Sequence, residues 1–245
     1  MKTLSNTQVV PRKSISVIRN EVQSSNKIAL SVDCVIFGFD ENKLKVLLIR
    51  SDFNKYKEQW SLLGDLVSPT EDIDAAASRV LLERTGLNDV YLEQVQTFGQ
   101  PNRHPAGRVV TVAYYSLLNV HHYSLEKFDN EIHWHDVATV SNLAFDHQEI
   151  FETCYTRLQK RILEHPLGFN LLPKKFSLRD LQNLYESILG LRMDRRNFRK
   201  KFSSMNLLTD LHEMEKDVPH RPGKLYQFDY KKYEKKKKVW AGIDF

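Results

Sequence analysis

Apolar and polar residues alternate in short blocks over the first part of the chain, a pattern typical of β-strands. Residues 28–39 and 43–50 are rich in β-branched, aromatic and leucine side chains, and the polar turn DEN separates them. This arrangement predicts a β-hairpin. Residues 90–98, 108–118 and 132–137 predict three further strands, of which 108–118 has the strongest signal. We therefore expect a sheet of several strands in this part of the chain.

Two segments among these strands have the spacing of amphipathic helices. In the first, small and apolar side chains form one stripe at Ile73, Ala76, Ala77, Val80 and Leu81. Thr70 is the expected N-cap of this helix, and Gly86 fits the position just after its end. The second helix, from about Asp146 to Glu164, carries an apolar residue every four positions.

The last third of the chain has a different outline. Residues 178–189 predict an amphipathic helix that Ser177 caps. A short helix follows, with Phe198 and Phe202 one turn apart on its inner face. Two short strands around the turn at 219–223 complete the order helix, helix, strand, turn, strand. This order predicts a winged helix.

Length and composition indicate how the chain is divided. Its 245 residues are enough for two domains, since domains typically contain about 100–200 residues. We expect a polar N-terminal arm at 1–25, a first domain at 26–165, a linker at 166–173 and a second domain at 174–245.

Charge is distributed unevenly between these parts. Residues 171–245 contain 18 Lys+Arg and 10 Asp+Glu, a net charge of +8, whereas the rest of the chain has a net charge of −3. Such an asymmetry indicates a polyanionic partner for the basic part. A solvated lysine-rich end is the alternative.

Several classes of protein are disfavoured. The two cysteines, Cys34 and Cys154, are far apart and have no neighbouring Cys or paired His. This argues against a zinc module and a disulfide framework, and it fits a reducing cytoplasm. No segment approaches the roughly 18 continuous apolar residues of a membrane span. We therefore expect a cytoplasmic protein with no membrane partner.

The short helix of the basic part has the properties of a DNA recognition helix. Arginine and asparagine in its first turn are able to contact base edges, and the lysines after them suit phosphates. The candidate DNA-binding residues are Arg195, Arg196, Asn197, Arg199, Lys200 and Lys201 on the helix, with His220 and Arg221 at the wing tip. A charged surface helix in a small protein-interaction domain is the alternative.

The helix after Gly64 also carries a chemical pattern. Its order of residue types resembles the Nudix hydrolase signature, in which a Gly and a Glu precede Arg-Glu-apolar-any-Glu-Glu-any-Gly-apolar. The matching positions are Glu71, Arg79, Leu81, Glu83, Gly86 and Leu87. Three positions depart from it: Asp65 replaces the first Gly, Val80 replaces the Glu after Arg, and Arg84 replaces the second Glu of the pair.

These departures bear on the chemistry that the resemblance implies. In the family, carboxylates on this helix face hold the divalent cations that neutralise a diphosphate. Here the face carries Val80, Glu83 and Arg84, so its formal charge is 0 instead of −3. Because hard cations need several oxygen ligands, we expect a Nudix fold without hydrolysis, and hence no catalytic residue, metal or cofactor. A diphosphate hydrolase and a chance match to an ordinary amphipathic helix are the alternatives.

A degenerate Nudix domain followed by a winged helix resembles the Nudix-related transcriptional regulators over about residues 27–230. The segments GFDENKLKVLLIR, TFGQPNRHPAGRVVTVAYYSLL, FDHQEI, LLPKKFSLRDLQNLYESILG and DRRNFRKKF carry the resemblance together with the degenerate box. It implies an α+β fold, with an N-terminal Nudix α/β/α sandwich and a C-terminal winged helix-turn-helix domain. It also implies a homodimeric repressor that binds double-stranded operator DNA and senses a small-molecule effector through its Nudix domain.

The resemblance leaves the effector open between two branches, one responding to ADP-ribose or its relatives and the other to L-arabinose. Because a neutral sugar needs no metal to bind, we expect L-arabinose to release the protein from a sugar-catabolic operon, with a nucleotide metabolite such as ADP-ribose as the alternative. The candidate effector-binding residues are Asp33, Asp65, Glu83, Arg103, Tyr114, Asp146 and His147. For Asp146 and His147, capping of the following helix is the alternative role.

Overall fold

The protein is described by a computed structural model that covers residues 27–120, 132–237 and 242–243. The arm expected at 1–25 lies outside the described residues. Among the helices within the described ranges, none is long and apolar enough to cross a membrane.

The N-terminal part contains every strand and helix that the sequence pattern predicts, with ends shifted by a few residues. The element bounds are β1 Ala29–Asp40, β2 Lys43–Arg50, β3 Trp60–Ser61, β4 Leu63–Leu66, α1 Ile73–Thr85, β5 Glu93–Phe98, β6 Val109–Leu118, β7 Ile132–Asp136 and α2 His147–Glu164. Strand β4 contains Gly64, where the sequence predicts only a loop.

Strand β1 is the centre of the sheet. It pairs in parallel with β6 along most of its length, and on its other side it pairs antiparallel with β4 at one end and with β2 at the other. The strand order is β3-β2-β1-β6-β5, and β7 adds to β2. Residues 31–39 are all buried, because helices cover this central strand on both faces.

The two helices pack against opposite faces of the sheet. Ala77 and Val80 of α1 pack with Cys34 of β1 in one hydrophobic cluster. Cys154 and Leu158 of α2 belong to a second cluster on the other face. The predicted α/β/α sandwich is therefore confirmed.

Helix α1 begins later than the sequence pattern predicts. The prediction of Thr70 as its N-cap is wrong: the Asp72 carboxylate caps the helix and accepts a hydrogen bond from the Asp74 N–H at 3.0 Å. Glu71 lies in the turn before the helix, where its carboxylate binds an arginine of α1. The end of the helix is as predicted, since Gly86 has a left-handed φ of 69°.

The C-terminal part is the predicted winged helix. Its bounds are β8 Phe176–Ser177, α3 Leu178–Leu189, α4 Arg195–Met205, β9 Leu208–Met214, β10 Lys224–Phe228 and α5 Tyr230–Lys236. The three strands form one sheet in the order β8-β10-β9. Ser177 caps α3 as predicted, and its hydroxyl accepts from the Asp180 N–H. Helix α5 occupies a lysine-rich run for which the sequence predicts no helix.

The junction between the two parts is packed into the interior. The segment expected to be a linker contains a short 3-10 helix, Leu167–Leu171, followed by Leu172. Phe169, Leu171 and Leu172 are buried in the same hydrophobic cluster as α2 and α4. The two parts therefore share one continuous core.

Candidate functional site

A cavity of about 540 Å³ opens beside β1 and β4. Asp33 of β1 and Gly64 of β4 line it and lie opposite each other in the sheet. A side chain at Gly64 would collide with the Asp33 carboxylate, so the glycine makes room for this acid. The volume falls within the range of about 300–1,000 Å³ that is typical of small-molecule pockets.

A buried arginine joins two acids at the base of this cavity. Arg103 donates from Nε and from Nη2 to the Asp146 carboxylate, both at 2.7 Å, and its Nη2 lies 3.5 Å from Asp33 Oδ2. Only 3% of the Arg103 side chain is exposed. Removing one partner of such a pair leaves an uncompensated buried charge, so the three residues stabilise one another.

His147 is held next to this ion pair in its neutral form. The Leu62 N–H donates to His147 Nδ1 at 3.0 Å, and Ser61 Oγ lies 3.0 Å from the same nitrogen. An N–H only donates, so Nδ1 carries the lone pair and the proton is on Nε2, 3.4 Å from Asp33 Oδ1. Burial lowers the pKa of His147, although the nearby carboxylates act in the opposite direction.

One wall of the cavity is aromatic. The rings of His104 and Phe145 are stacked, with centroids 4.9 Å apart and an angle of 9° between their planes. Phe53 contacts both rings edge-on, at 5.5 and 5.6 Å. Burial lowers the pKa of His104, and Arg103 lowers it further. The wall therefore consists of flat, neutral rings on which a planar group is able to stack.

The described residues that line the cavity carry more positive than negative charge. The basic ones are Lys27, Arg50, Arg84, Arg103 and Arg108, and the acidic ones are Asp33, Asp52 and Asp65. This excess of cations favours an anionic ligand.

The degenerate Nudix box forms a closed ion-pair cluster. Arg79 binds both oxygens of Glu71, through Nε at 2.7 Å and Nη2 at 3.1 Å. Its Nη1 donates to Glu83 at 3.0 Å and lies 3.8 Å from the Asp65 carboxylate. Hydrogen bonds from Arg79 lower the pKa of Glu71. The carboxylates that remain in the box are thus engaged by its own arginine.

The residues of the box do not fit a divalent cation. Val80 is 1% exposed and packs in the hydrophobic cluster under α1, and Arg84 lines the cavity with its positive charge. Within the described part of the chain, no three His, Cys, Asp or Glu side chains are grouped so that they could hold a metal ion. The box therefore offers fewer free oxygen ligands than a divalent cation usually needs.

The structure brings together five of the seven candidate effector-binding residues. Asp33, Asp65, Arg103 and His147 line the cavity, and Asp146 supports Arg103 from behind. The other two, Glu83 and Tyr114, do not line it.

The side chains of Glu83 and Tyr114 point to other partners. Glu83 faces Arg79 at the surface of α1. Tyr114 is buried under α1, where its hydroxyl binds the Asp74 carboxylate. Successive strand residues face opposite sides of a sheet, so Tyr115 points to the other face, where its hydroxyl donates to Glu93.

The sequence interpretation misses several residues of the cavity. Phe53, His104 and Phe145 form the aromatic wall, and Arg50 and Arg108 add positive charge. Local signals exist for His104, which directly follows the candidate Arg103, and for Phe145, which directly precedes the candidate Asp146. The others come from loops and strand ends whose assembly is not visible in the pattern.

The predicted recognition helix, α4, presents its charges to solvent. Phe198 and Phe202 anchor it and are 1% and 0% exposed. Arg195, Arg196, Asn197, Arg199 and Lys200 are exposed, and Lys201 is half-buried. None of these basic side chains pairs with an acid among the described residues. The helix surface is therefore available to an anionic partner.

The wing is the loop between β9 and β10. His220 and Arg221 at its tip are exposed. The base of the wing is closed by Glu215, whose carboxylate accepts from the Gly223 N–H at 2.6 Å. The candidate wing residues thus lie on a loop that is fixed at its base.

Comparison with known families agrees with this architecture. The sequence matches the NUDIX domain family over residues 27–154 and the NrtR DNA-binding winged helix domain over residues 168–228.

Individual relatives match different shares of the chain. An ADPR responsive transcriptional repressor, NtrR of Acinetobacter baylyi, is 33% identical over 210 residues, which cover 84% of this chain and 84% of that protein. An ADP-ribose pyrophosphatase of Methanocaldococcus jannaschii is 27% identical over 143 residues, which cover 58% of this chain and 83% of that protein. The crystal structure of Shewanella oneidensis NrtR complexed with a 27mer DNA has a TM-score of 0.71 at 27% identity, covering 84% of this chain and 95% of that chain.

The neutral state of His147 predicts a pH dependence of stability. Its pKa is lowered on folding, so below about pH 6.5 the unfolded chain binds a proton that the folded chain rejects. We expect the free energy of unfolding of the ligand-free protein to fall as pH drops from 7 to 5, with this residue contributing up to about 1.4 kcal/mol per pH unit.

Urea titrations at both pH values measure this dependence. In a His147→Asn variant, the amide oxygen replaces Nδ1 as the acceptor for the Leu62 N–H without titrating. The variant is expected to lose less stability on acidification than the wild type. Equal losses would contradict the assignment of a neutral, buried His147.

Proposed function

The chain belongs to the NrtR-like regulators, which join a Nudix domain to an NrtR winged helix, and on this basis we propose that it is a DNA-binding repressor that ADP-ribose, or a close nucleotide relative, releases from its operator. The effector binds in the cavity beside β1 and β4, and α4 binds DNA. The observation that carries the proposal is the cationic cavity with its aromatic wall.

The relatives support this effector better than L-arabinose. The relative that is similar over both domains is named for its response to ADPR, and a second relative acts on ADP-ribose. A neutral sugar is the better effector only if, once the metal-binding carboxylates are lost, nothing offsets the charge of a diphosphate. Arg84 and the other basic residues of the lining provide that charge. The sugar-catabolic operon, which rested on the same assumption, is therefore not proposed.

The two sides of the cavity suit the two kinds of group in such an effector. Purine rings stack on flat aromatic surfaces, and the wall of His104 and Phe145 offers one. Diphosphate oxygens suit guanidinium groups, which bind them in a bidentate manner. The carboxylates of Asp33 and Asp65 are acceptors for ribose hydroxyls.

A physical connection between effector and DNA runs along α2. The helix begins at His147 in the cavity. Further along it, Tyr155 Oη and Gln159 Nε2 both donate to the Ile188 carbonyl near the end of α3, at 2.8 and 3.0 Å. A displacement of α2 by the effector would therefore move the helix that precedes the recognition helix in the winged domain.

We further propose that the protein acts as a homodimer on a palindromic site. One winged helix offers a small contact area compared with the about 1,000–2,500 Å² of protein surface that specific DNA interfaces bury. Two recognition helices related by a two-fold axis double the contacts and match a pair of half-sites.

Effector titration tests the main proposal. A fluorescent duplex, selected by the protein from a random pool, is followed by anisotropy while ADP-ribose or L-arabinose is added. Saturating ADP-ribose is expected to weaken DNA binding by about 5–150-fold, the usual range of allosteric coupling. L-arabinose is expected to leave it unchanged. Release by L-arabinose and not by ADP-ribose would overturn the proposal and restore the sugar branch.

Variants of α4 test the DNA interface. Arg196→Ala is expected to cost about 1–3 kcal/mol of discrimination between the selected duplex and a random one, as for an arginine that contacts a base. Lys201→Ala is expected to weaken binding to both duplexes equally, as for a residue that contacts a phosphate. Anisotropy with both duplexes at one fixed salt concentration measures this difference. Equal loss on both duplexes for Arg196→Ala would assign that residue to the DNA backbone.

We do not expect the protein to hydrolyse its effector, because Val80 and Arg84 replace two glutamates of the Nudix signature. We expect no release of AMP from ADP-ribose with magnesium or manganese above the level of a no-protein control, measured by chromatography. Turnover at an ordinary enzymatic rate, about 1 per second or more, would contradict this expectation.

A further inference from the structure

Arg84 differs from the other arginines of the cavity because its guanidinium is not engaged. Arg103 binds Asp146, Arg108 donates to the carbonyls of Gly99 and Gln100, and the guanidinium of Arg50 lies 3.8 Å from the centre of the Trp60 ring. Among the described residues, Arg84 forms no hydrogen bond or ion pair. It is half-buried in the last turn of α1 and lines the cavity.

The position of Arg84 is the one at which the Nudix signature has a metal-binding glutamate. The nearby acids cannot restore a metal site, because Arg79 already binds Glu71 and Glu83. One oxygen of Asp65 accepts from the Leu66 N–H, and the other lies 3.8 Å from Arg79. The helix face that bears a cation in the family is thus left with one free guanidinium and no free cluster of carboxylates.

A guanidinium is able to replace a cation as the partner of a diphosphate. It keeps its charge at all physiological pH values and presents N–H donors in a fork that matches two phosphate oxygens. Magnesium binds such ligands through carboxylates together with the phosphates, and those carboxylates are lost or engaged here. The fixed charge of Arg84 requires no such ligands.

We propose that Arg84 binds the diphosphate of the effector in place of a divalent cation, so that effector binding is independent of metal. The proposal rests on the proposed function for the identity of the effector. Arg84 then determines specificity for a diphosphate, and the affinity for the effector does not depend on magnesium.

Calorimetric titration of the full chain with ADP-ribose tests the proposal, once in EDTA and once in excess magnesium. The two dissociation constants are expected to agree within error. Arg84→Ala is expected to weaken binding in EDTA by about 10–100-fold, the loss of a charged hydrogen-bonding partner. Arg84→Lys should recover part of the affinity, and Arg84→Glu, which restores the carboxylate of the signature, should lose at least as much as Arg84→Ala.

Two controls separate a charge effect from a folding defect. Lys57→Ala removes an exposed positive charge that does not line the cavity, and ADP-ribose affinity is expected to be unchanged. Adenosine, which lacks the diphosphate, should bind wild type and Arg84→Ala equally. A loss of adenosine binding in Arg84→Ala would assign Arg84 a structural role and overturn the proposal.

Other outcomes separate this proposal from the proposed function. Binding of ADP-ribose only with magnesium, or unchanged affinity in Arg84→Ala, overturns the role of Arg84 and leaves the effector proposal intact. If ADP-ribose fails to bind under either condition, the effector proposal fails. Titration with inorganic pyrophosphate in EDTA then tests the role of Arg84. Binding to the wild type that is abolished in Arg84→Ala supports this role. Absence of binding to the wild type overturns it.

Discussion

The ion pair between Arg103 and Asp146 is the interaction on which the cavity depends. It joins the loop before β6 to the start of α2, and the nearby Asp33 extends it to the central strand β1. Because the Arg103 side chain is almost fully buried, neither charge is stable without the other. The pair therefore fixes the relative positions of three separate parts of the chain. His147 and the aromatic wall lie on or next to these parts. Gly64 serves the same arrangement by leaving space for Asp33.

The degenerate box keeps a structural role. Arg79 ties the loop before α1 to the helix through Glu71, and this contact does not require the carboxylates that are missing. Replacement of a glutamate by Val80 adds to the hydrophobic cluster beneath the helix. The substitution at Arg84 changes the sign of the charge that faces the cavity. The box thus supports the fold while it alters which ligands the cavity favours.

The two domains are built as one unit with a packed junction. The segment between them is buried, and Phe169 stacks on Phe228 of the winged helix with ring centroids 4.1 Å apart. Hydrogen bonds from α2, together with one from the Leu44 N–H to Ser187 Oγ, fix α3 to the Nudix domain. A flexible tether would let the domains move independently. A packed junction instead constrains the two domains to move together, because packed interfaces do not deform gradually.

The sequence by itself determined most of the strands and helices, including α4, although it missed strand β4 and helix α5. Those features depend on local periodicity and capping, as with Ser177 before α3 and the buried pair Phe198 and Phe202 in α4. The sequence also located the degenerate Nudix box, because the signature is defined by residue types at fixed spacing. Only the tertiary structure decided the character of the cavity. Its charge and its aromatic wall come from side chains far apart in the chain, such as Phe53 and Phe145, whose rings come into contact only in the folded structure. The box alone shows the lost carboxylates, which favour a neutral sugar over a diphosphate, whereas the distant cations enter the cavity only through the tertiary structure.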